Sequence, residues 1–159
     1  MRKILPLLFL VLVLMQQGYS QSTKEHDFSP PPPPPPSAAL QPPAEIWVVD
    51  FWASWCGPCI ESIPHLKQLQ RRYADKNVRF ISVSWDESEV KWLSALDRFQ
   101  MPWQHFRITK AQSTYFDAHF PHKAIPTAFV IRMDGKVKKA NGVGMLEPTI
   151  QKAIKANKS

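Results

Sequence analysis

The chain's only cysteines, Cys56 and Cys59, stand in the run Trp55-Cys56-Gly57-Pro58-Cys59. A strand-like run ends just before them and a helical pattern begins with them, which places Cys56 at a helix N-terminus. Unpaired backbone N–H groups and the positive end of the helix dipole favour a thiolate there. The second sulfur lies one helical turn on, always beside the first. The chemistry such a pair supports is thiol–disulfide exchange. The Cys56 thiolate attacks a substrate disulfide and forms a mixed disulfide; Cys59 then attacks the Cys56 sulfur and releases the reduced substrate. An inert short disulfide or half a metal site is the competing reading. A metal would require further thiolates or a close histidine, as in a copper-passing metallochaperone built on Cys56, Cys59 and His122, a class that generally has wider cysteine spacing.

Three further positions bear on that chemistry. Asp50 interrupts an apolar strand six residues before Cys56 and shares a strand face with Val48 and Trp52. Burial there raises a carboxylate's proton affinity, and such a group can take the proton from Cys59 as that thiol becomes a nucleophile. Ile125-Pro126-Thr127 opens a later strand, where an X-Pro bond is a candidate for the cis isomer. Trp55, beside Cys56, is a candidate for the contact surface, while Trp52 and Trp103 suit the core or the rim of the site. His119 and His122 precede Pro126 and read as loop residues.

The elements that must position these residues follow from periodicity. Ile46 to Ala53 is a nearly continuous apolar run, typical of a strand buried on both faces. Residues 57–74 carry a helical stripe at Ile60, Ile63, Leu66, Leu69 and Tyr73, with Pro64 inside, where a kink is expected. Val78 to Ser84 is a second strand. Asp86 and Glu89 read as a capping-box start for a helix bearing Val90, Leu93, Leu96 and Phe99. Gln104 to Ile108 suits a short strand and Ser113 to His119 a short helix. Thr127 to Arg132, the Asp134-Gly135 turn and Lys136 to Lys139 make a hairpin, and Pro148 opens a last helix with Ile150, Ala153 and Ile154. Strands and helices alternate, then a hairpin and a helix close the chain: an α/β domain with a mixed central sheet.

The 159 residues leave room for one such domain, over residues 45–159. Arg2 and Lys3, the apolar run Ile4 to Met15 and the small residues Gly18 and Ser20 read as a secretory signal peptide over residues 1–20; an uncleaved membrane anchor is the alternative. No apolar run reaches the roughly 20 residues that cross a bilayer. Nine of the 16 prolines lie between Pro30 and Pro43, so residues 21–44 read as a proline-rich, semi-rigid linker. An exported chain with a lone cysteine pair suggests redox work rather than stapling. Residues 45–122 balance nine basic against nine acidic side chains; residues 123–159 hold eight basic and two acidic. A solvated basic face accounts for that excess, and nucleic acid is not an expected partner of an exported protein.

The run Val-Val-Asp-Phe-Trp-Ala-Ser-Trp-Cys-Gly-Pro-Cys at 48–59 resembles the thioredoxin superfamily, and so do Pro64, Ile125-Pro126-Thr127 and Asp134-Gly135. The resemblance spans about residues 45–155. It implies a thioredoxin fold and a disulfide oxidoreductase that needs no cofactor beyond a redox-active Cys56–Cys59 disulfide and no metal. Cys56 is then the nucleophile, Cys59 the resolving thiol and Asp50 the buried proton acceptor. Trp55, Gly57, Pro58, Ile125 and Pro126 are then the substrate-binding residues. Gly57-Pro58 resembles the reducing members. The export signal, Ser84-Trp85-Asp86 and the inserted helical segment 86–122 resemble the TlpA/ResA group, which implies a periplasmic or otherwise extracytoplasmic location. The partners implied are disulfide-containing exported proteins, apocytochrome c among them, and a membrane donor of reducing equivalents; a monomer is expected. That group typically carries Asn where this chain has Asp50, and a hairpin where the proline run stands. Thioredoxins place a lysine opposite the buried acid, where this chain offers serine in Phe80-Ile81-Ser82-Val83-Ser84. Without a cationic neighbour the acid is expected to hold its proton more tightly.

Overall fold

A computed structural model describes residues 46–157. The expected signal peptide and proline-rich linker lie outside the described residues.

Five strands form one mixed sheet: β1 (Ile46–Trp52), β2 (Val78–Ser84), β3 (Gln104–Arg107), β4 (Thr127–Arg132) and β5 (Val137–Ala140). Their spatial order is β3-β2-β1-β4-β5. β1 pairs parallel with β2 and antiparallel with β4, so β1 lies at the centre. β2 pairs parallel with β3, and β4 antiparallel with β5. The helices are α1 (Gly57–Arg72), α2 (Glu89–Phe99), α3 (Lys110–His119) and α4 (Leu146–Asn157), with a 3-10 turn at Val143–Met145 before α4. The inserted segment thus carries α2, β3 and α3.

The two faces of β1 are both covered, as its continuous apolar sequence requires. Ile46 and Val48 pack with Leu66 and Leu69 of α1, Leu146 and Ile150 of α4, and Val78 and Phe80 of β2. On the alternate face Phe51 meets an aromatic group, with ring centroids 6.1 Å from Phe116, 5.6 Å from Phe120 and 5.8 Å from Phe129. α3 therefore roofs the face opposite α1. A second cluster gathers Trp52, Ala53, Cys56, Cys59, Ile63, Ala95 and Met101 at the end of β1. The cysteine pair is built into this cluster, so its geometry is fixed by side-chain packing as well as by the helix.

Local chemistry sets the boundaries. Pro58 sits in the first turn of α1, where no N–H is needed, and Arg71 and Arg72 complement the dipole in its last turn. Pro64 lies inside α1 without ending it. Gly135 takes φ 78° in the hairpin turn, a conformation open to glycine, and its N–H donates to the Arg132 carbonyl at 2.9 Å.

Three expectations need correction. The start of α2 is capped by Ser88, whose Oγ accepts from the Lys91 N–H at 3.4 Å; Asp86 is turned inward instead. Within α2, Val90 and Leu93 are 73% and 45% exposed, and the packed face is Trp92, Ala95, Leu96 and Phe99. The apolar spacing fitted two overlapping stripes, and the tryptophan and alanine between the chosen positions took the core. α3 and α4 start earlier than expected. Gln112 Oε1 accepts from the Thr109 N–H at 2.9 Å and opens α3 at Lys110, while Leu146, wholly buried, draws the first turn of α4 ahead of Pro148.

Candidate active site

The site begins where β1 stops. Cys56, in extended backbone at φ −87° and ψ 98°, is the N-cap of α1. Its N–H donates to the Ala53 carbonyl at 3.1 Å, which closes the turn between strand and helix. Its Sγ accepts from the Cys59 N–H at 3.2 Å, one of the free donors of the first turn. A thiolate at that atom gains from the same donor. Cys56 and Cys59 are joined by a disulfide, with Cα atoms 5.2 Å apart. Cys59 is the deeper of the two, at 1% exposure against 6% for Cys56. Trp55 is 66% exposed next to the pair, and Gly57 and Pro58 are exposed as well. Trp55, Gly57 and Pro58 thus make the exposed surface around the pair, with Cys56 the less buried of the two sulfurs.

The loop before β4 closes the other side. The Ile125–Pro126 bond is cis, and the Ile125 carbonyl oxygen lies 3.8 Å from Cys56 Sγ. Ile125 packs against the cluster that holds both cysteines. A cavity of about 670 Å³ continues from Pro126 past His122, Lys123, Thr127 and Lys139. His122, the histidine of the copper reading, packs at a tilt against Phe51, ring centroids 4.8 Å apart, and its Nδ1 lies 2.7 Å from the Phe120 carbonyl oxygen. Among the described residues no group of three or more His, Cys, Asp or Glu side chains is arranged to hold a metal ion.

Asp50 is 6% exposed, in the centre of β1 beside Ser82 of β2. Ser82 Oγ donates to Asp50 Oδ2 at 3.2 Å, and Trp103 Nε1 donates to Ser82 Oγ at 2.8 Å. Burial pushes the carboxyl up to about 7, and the Ser82 hydrogen bond offsets only part of that rise. Asp50 shares its strand face with Trp52, and Trp52 packs in the cluster with Cys59. A carboxyl that titrates near neutrality on the resolving-cysteine side of the sheet has the proton affinity a base needs there.

Asp86 is a site residue that its position before α2 disguised as a helix cap. It is 2% exposed. Its carboxylate accepts from the Ser54 N–H at 2.9 Å, the Ser54 hydroxyl at 2.6 Å and the Ser84 hydroxyl at 2.7 Å. The adjacent Trp85 N–H donates to the Trp52 carbonyl at 2.9 Å. The segment that delivers Cys56 is thus tied to the end of β2 by three hydrogen bonds at two successive residues, Trp85 and Asp86, while the Ser84 bond holds the Asp86 carboxylate in place. The usable signal was an acid ending an apolar strand, with serines placed to meet it. Asp86→Ala leaves these donors without their acceptor and should cost about 2–4 kcal/mol, whereas Asp86→Asn, which keeps one acceptor oxygen, should cost less than half of that. Urea unfolding of the two variants checks the order.

Comparison with known proteins follows the same outline. A family model described as thioredoxin-like matches residues 44–137. The chain is 28% identical over 89 residues to the thiol-disulfide oxidoreductase ResA of Bacillus cereus, covering 56% of this chain and 50% of that protein. It spans about half the length of the curated relatives it matches. A candidate thiol:disulfide interchange protein DsbE from Chlorobium tepidum superposes with a TM-score of 0.62 at 29% identity, over 70% of this chain and 81% of that one. The thioredoxin domain of a thiol-disulfide oxidoreductase from Bacteroides vulgatus superposes with a TM-score of 0.63 at 22% identity, over 70% and 80%. The fold is the expected thioredoxin fold.

Proposed function

The chain belongs to the thioredoxin-like family, and on that premise we propose that it is a thiol–disulfide oxidoreductase that reduces disulfides of exported proteins through a Cys56/Cys59 cycle. The observation that carries this reading is the paired sulfurs at the N-terminus of α1, the outer one beside the cis Ile125–Pro126 loop.

In the reducing direction the Cys56 thiolate attacks one sulfur of a substrate disulfide, and the other sulfur departs with the electron pair. Cys59 loses its proton to Asp50 and attacks Cys56 Sγ; the mixed disulfide breaks and the second substrate sulfur leaves as a thiolate with the electron pair. Trp55, Gly57, Pro58, Ile125 and Pro126 hold the substrate chain around the outer sulfur. The protein disulfide is then reduced again by a donor dithiol, for which a membrane carrier of reducing equivalents fits an exported chain. Signal-like residues 1–20 and the similarity to ResA and DsbE support a location outside the cytoplasm and substrates such as apocytochrome c. No helix among the described residues is long and apolar enough to cross a membrane.

The test is turbidimetric insulin reduction with dithiothreitol as donor. The wild-type chain accelerates it and Cys56→Ser falls to the uncatalysed rate. Equal rates for the two proteins would overturn the reading.

A further inference from the structure

We propose that Ser82 and Trp103 are positioning residues for the buried acid: Trp103 donates to Ser82, which leaves the one hydroxyl hydrogen of Ser82 for Asp50 Oδ2 and reserves Oδ1 for the proton that Cys59 gives up. The proposal rests on the reading of Asp50 as the proton acceptor and adds how this chain, with serine in place of a lysine, controls it.

The argument is directional. An indole N–H only donates, and a carboxylate only accepts. A serine hydroxyl between them, 2.8 Å from Trp103 Nε1 and 3.2 Å from Asp50 Oδ2, satisfies both when its hydrogen points at the acid. Ser82 is wholly buried, so water does not compete for that hydrogen. Were the proton of a neutral Asp50 placed on Oδ2, the hydroxyl would have to turn away and bury an unpaired hydrogen. Ser82 engages Oδ2, which leaves Asp50 Oδ1 as the oxygen to exchange a proton. Trp103 also polarises the hydroxyl it bonds, which strengthens the Ser82 donation.

Among the described residues no neighbouring charge acts on the Asp50 carboxyl. β2 brings Ser82, and β4 brings Ala128 opposite Asp50. The side of α1 turned to Trp52 brings Cys59. Lys67 of α1 donates to the Phe99 carbonyl at 2.6 Å, and Arg72 pairs with Glu147. Asp86, after β2, is engaged by Ser54 and Ser84. From β3, His105 lies beside Trp103, ring centroids 5.9 Å apart, and burial lowers its affinity for a proton. Trp103 itself stands in the segment between α2 and β3, so the inserted part of the chain supplies the control.

In the step affected, the proton of Cys59 passes to Asp50 Oδ1 while the Cys59 sulfur bonds to Cys56 Sγ. The bond from Cys56 to the substrate sulfur breaks, and that sulfur leaves with the electron pair, so the protein dithiol is oxidised as the substrate disulfide is reduced.

The experiment is the pH dependence of Cys59 alkylation in full-length Cys56→Ser, read together with the infrared carboxyl band of Asp50 in the otherwise unaltered reduced chain. Ser82→Ala should tighten proton binding at Asp50 about tenfold and move both midpoints up together. Trp103→Phe should move them the same way by about threefold. Adding Trp103→Phe to Ser82→Ala should move them no further, because Trp103 acts only through Ser82. Additive shifts, or unmoved midpoints in Ser82→Ala while Asp50→Asn does change the alkylation profile, would overturn the proposal. An alkylation profile unchanged in Asp50→Asn would instead remove Asp50 as acceptor, and this inference with it. If Ser82→Ala does not fold, the Trp103→Phe shift decides alone, and no shift counts against the proposal.

Discussion

Cys59→Ser should stall halfway. Incubated with a disulfide substrate in its reduced form, the variant should accumulate a mixed disulfide between Cys56 and the substrate, seen as a mass adduct that dithiothreitol removes. Multiple turnover should fall by at least about a hundredfold. The reason is proximity. The wild-type resolving sulfur is already one helical turn away, held in the same packed cluster as Cys56. In the variant the adduct waits for an external thiol, present at millimolar concentration, to find the Cys56 sulfur. Cys56→Ser should give no adduct at all, since Cys59 is 1% exposed and is not reached by a protein substrate. This pair of outcomes separates nucleophile from resolver. If Cys56→Ser formed the adduct and Cys59→Ser did not, the roles assigned from burial would be reversed.

Much of this arrangement was legible in the residues before any coordinates. The cysteine spacing, the acid inside an apolar strand and the proline opening β4 each break a local rule: a lone pair of thiols three positions apart in a chain whose first residues read as an export signal, a charge in a core strand, a proline beside a sheet. Broken rules mark function because packing alone gives no reason for them. The strands were legible because their apolar runs are bounded by turn residues. The helix starts were harder, since a cap is a matter of one side chain's direction. Asp86 and Ser88 both suit a cap by type, and which one turns inward depends on Ser54 and Ser84, distant in sequence or on another element. For the same reason the Trp103–Ser82–Asp50 chain was out of reach: it joins three segments through the register of β1 on β2 and the path of the inserted segment. The absence of a lysine at 82 was visible, but the indole that supports the serine was not.

Replacing Asp50 by asparagine should stabilise the fold in alkali and not in acid. The carboxyl has a proton affinity of about 7 in the folded chain against an ordinary 3.8. Below pH 4 it is protonated in both the folded and unfolded states, and the fold loses nothing by burying it. Between pH 4 and 7 the unfolded chain releases the proton while the folded one retains it, so folding takes up a proton and stability falls as pH rises. Above pH 7 both states are ionised and the full cost of a buried charge remains. Three pH units correspond to about 4 kcal/mol at most. An asparagine side chain has no charge to bury, so Asp50→Asn should gain up to about that much over wild type at pH 8, and the gain should vanish near pH 4. Asp134 and Glu147, whose carboxyls are held below the usual range by cationic and hydrogen-bonding neighbours, push wild-type stability the other way, as does the buried His105. All three are present in both proteins and cancel in the difference. Urea unfolding of wild type and variant across pH 4 to 8, both in the oxidised form, measures that difference directly. A gain independent of pH would mean that Asp50 is not the group whose charge the fold resists, and the base on the resolving side of the site would have to be sought elsewhere.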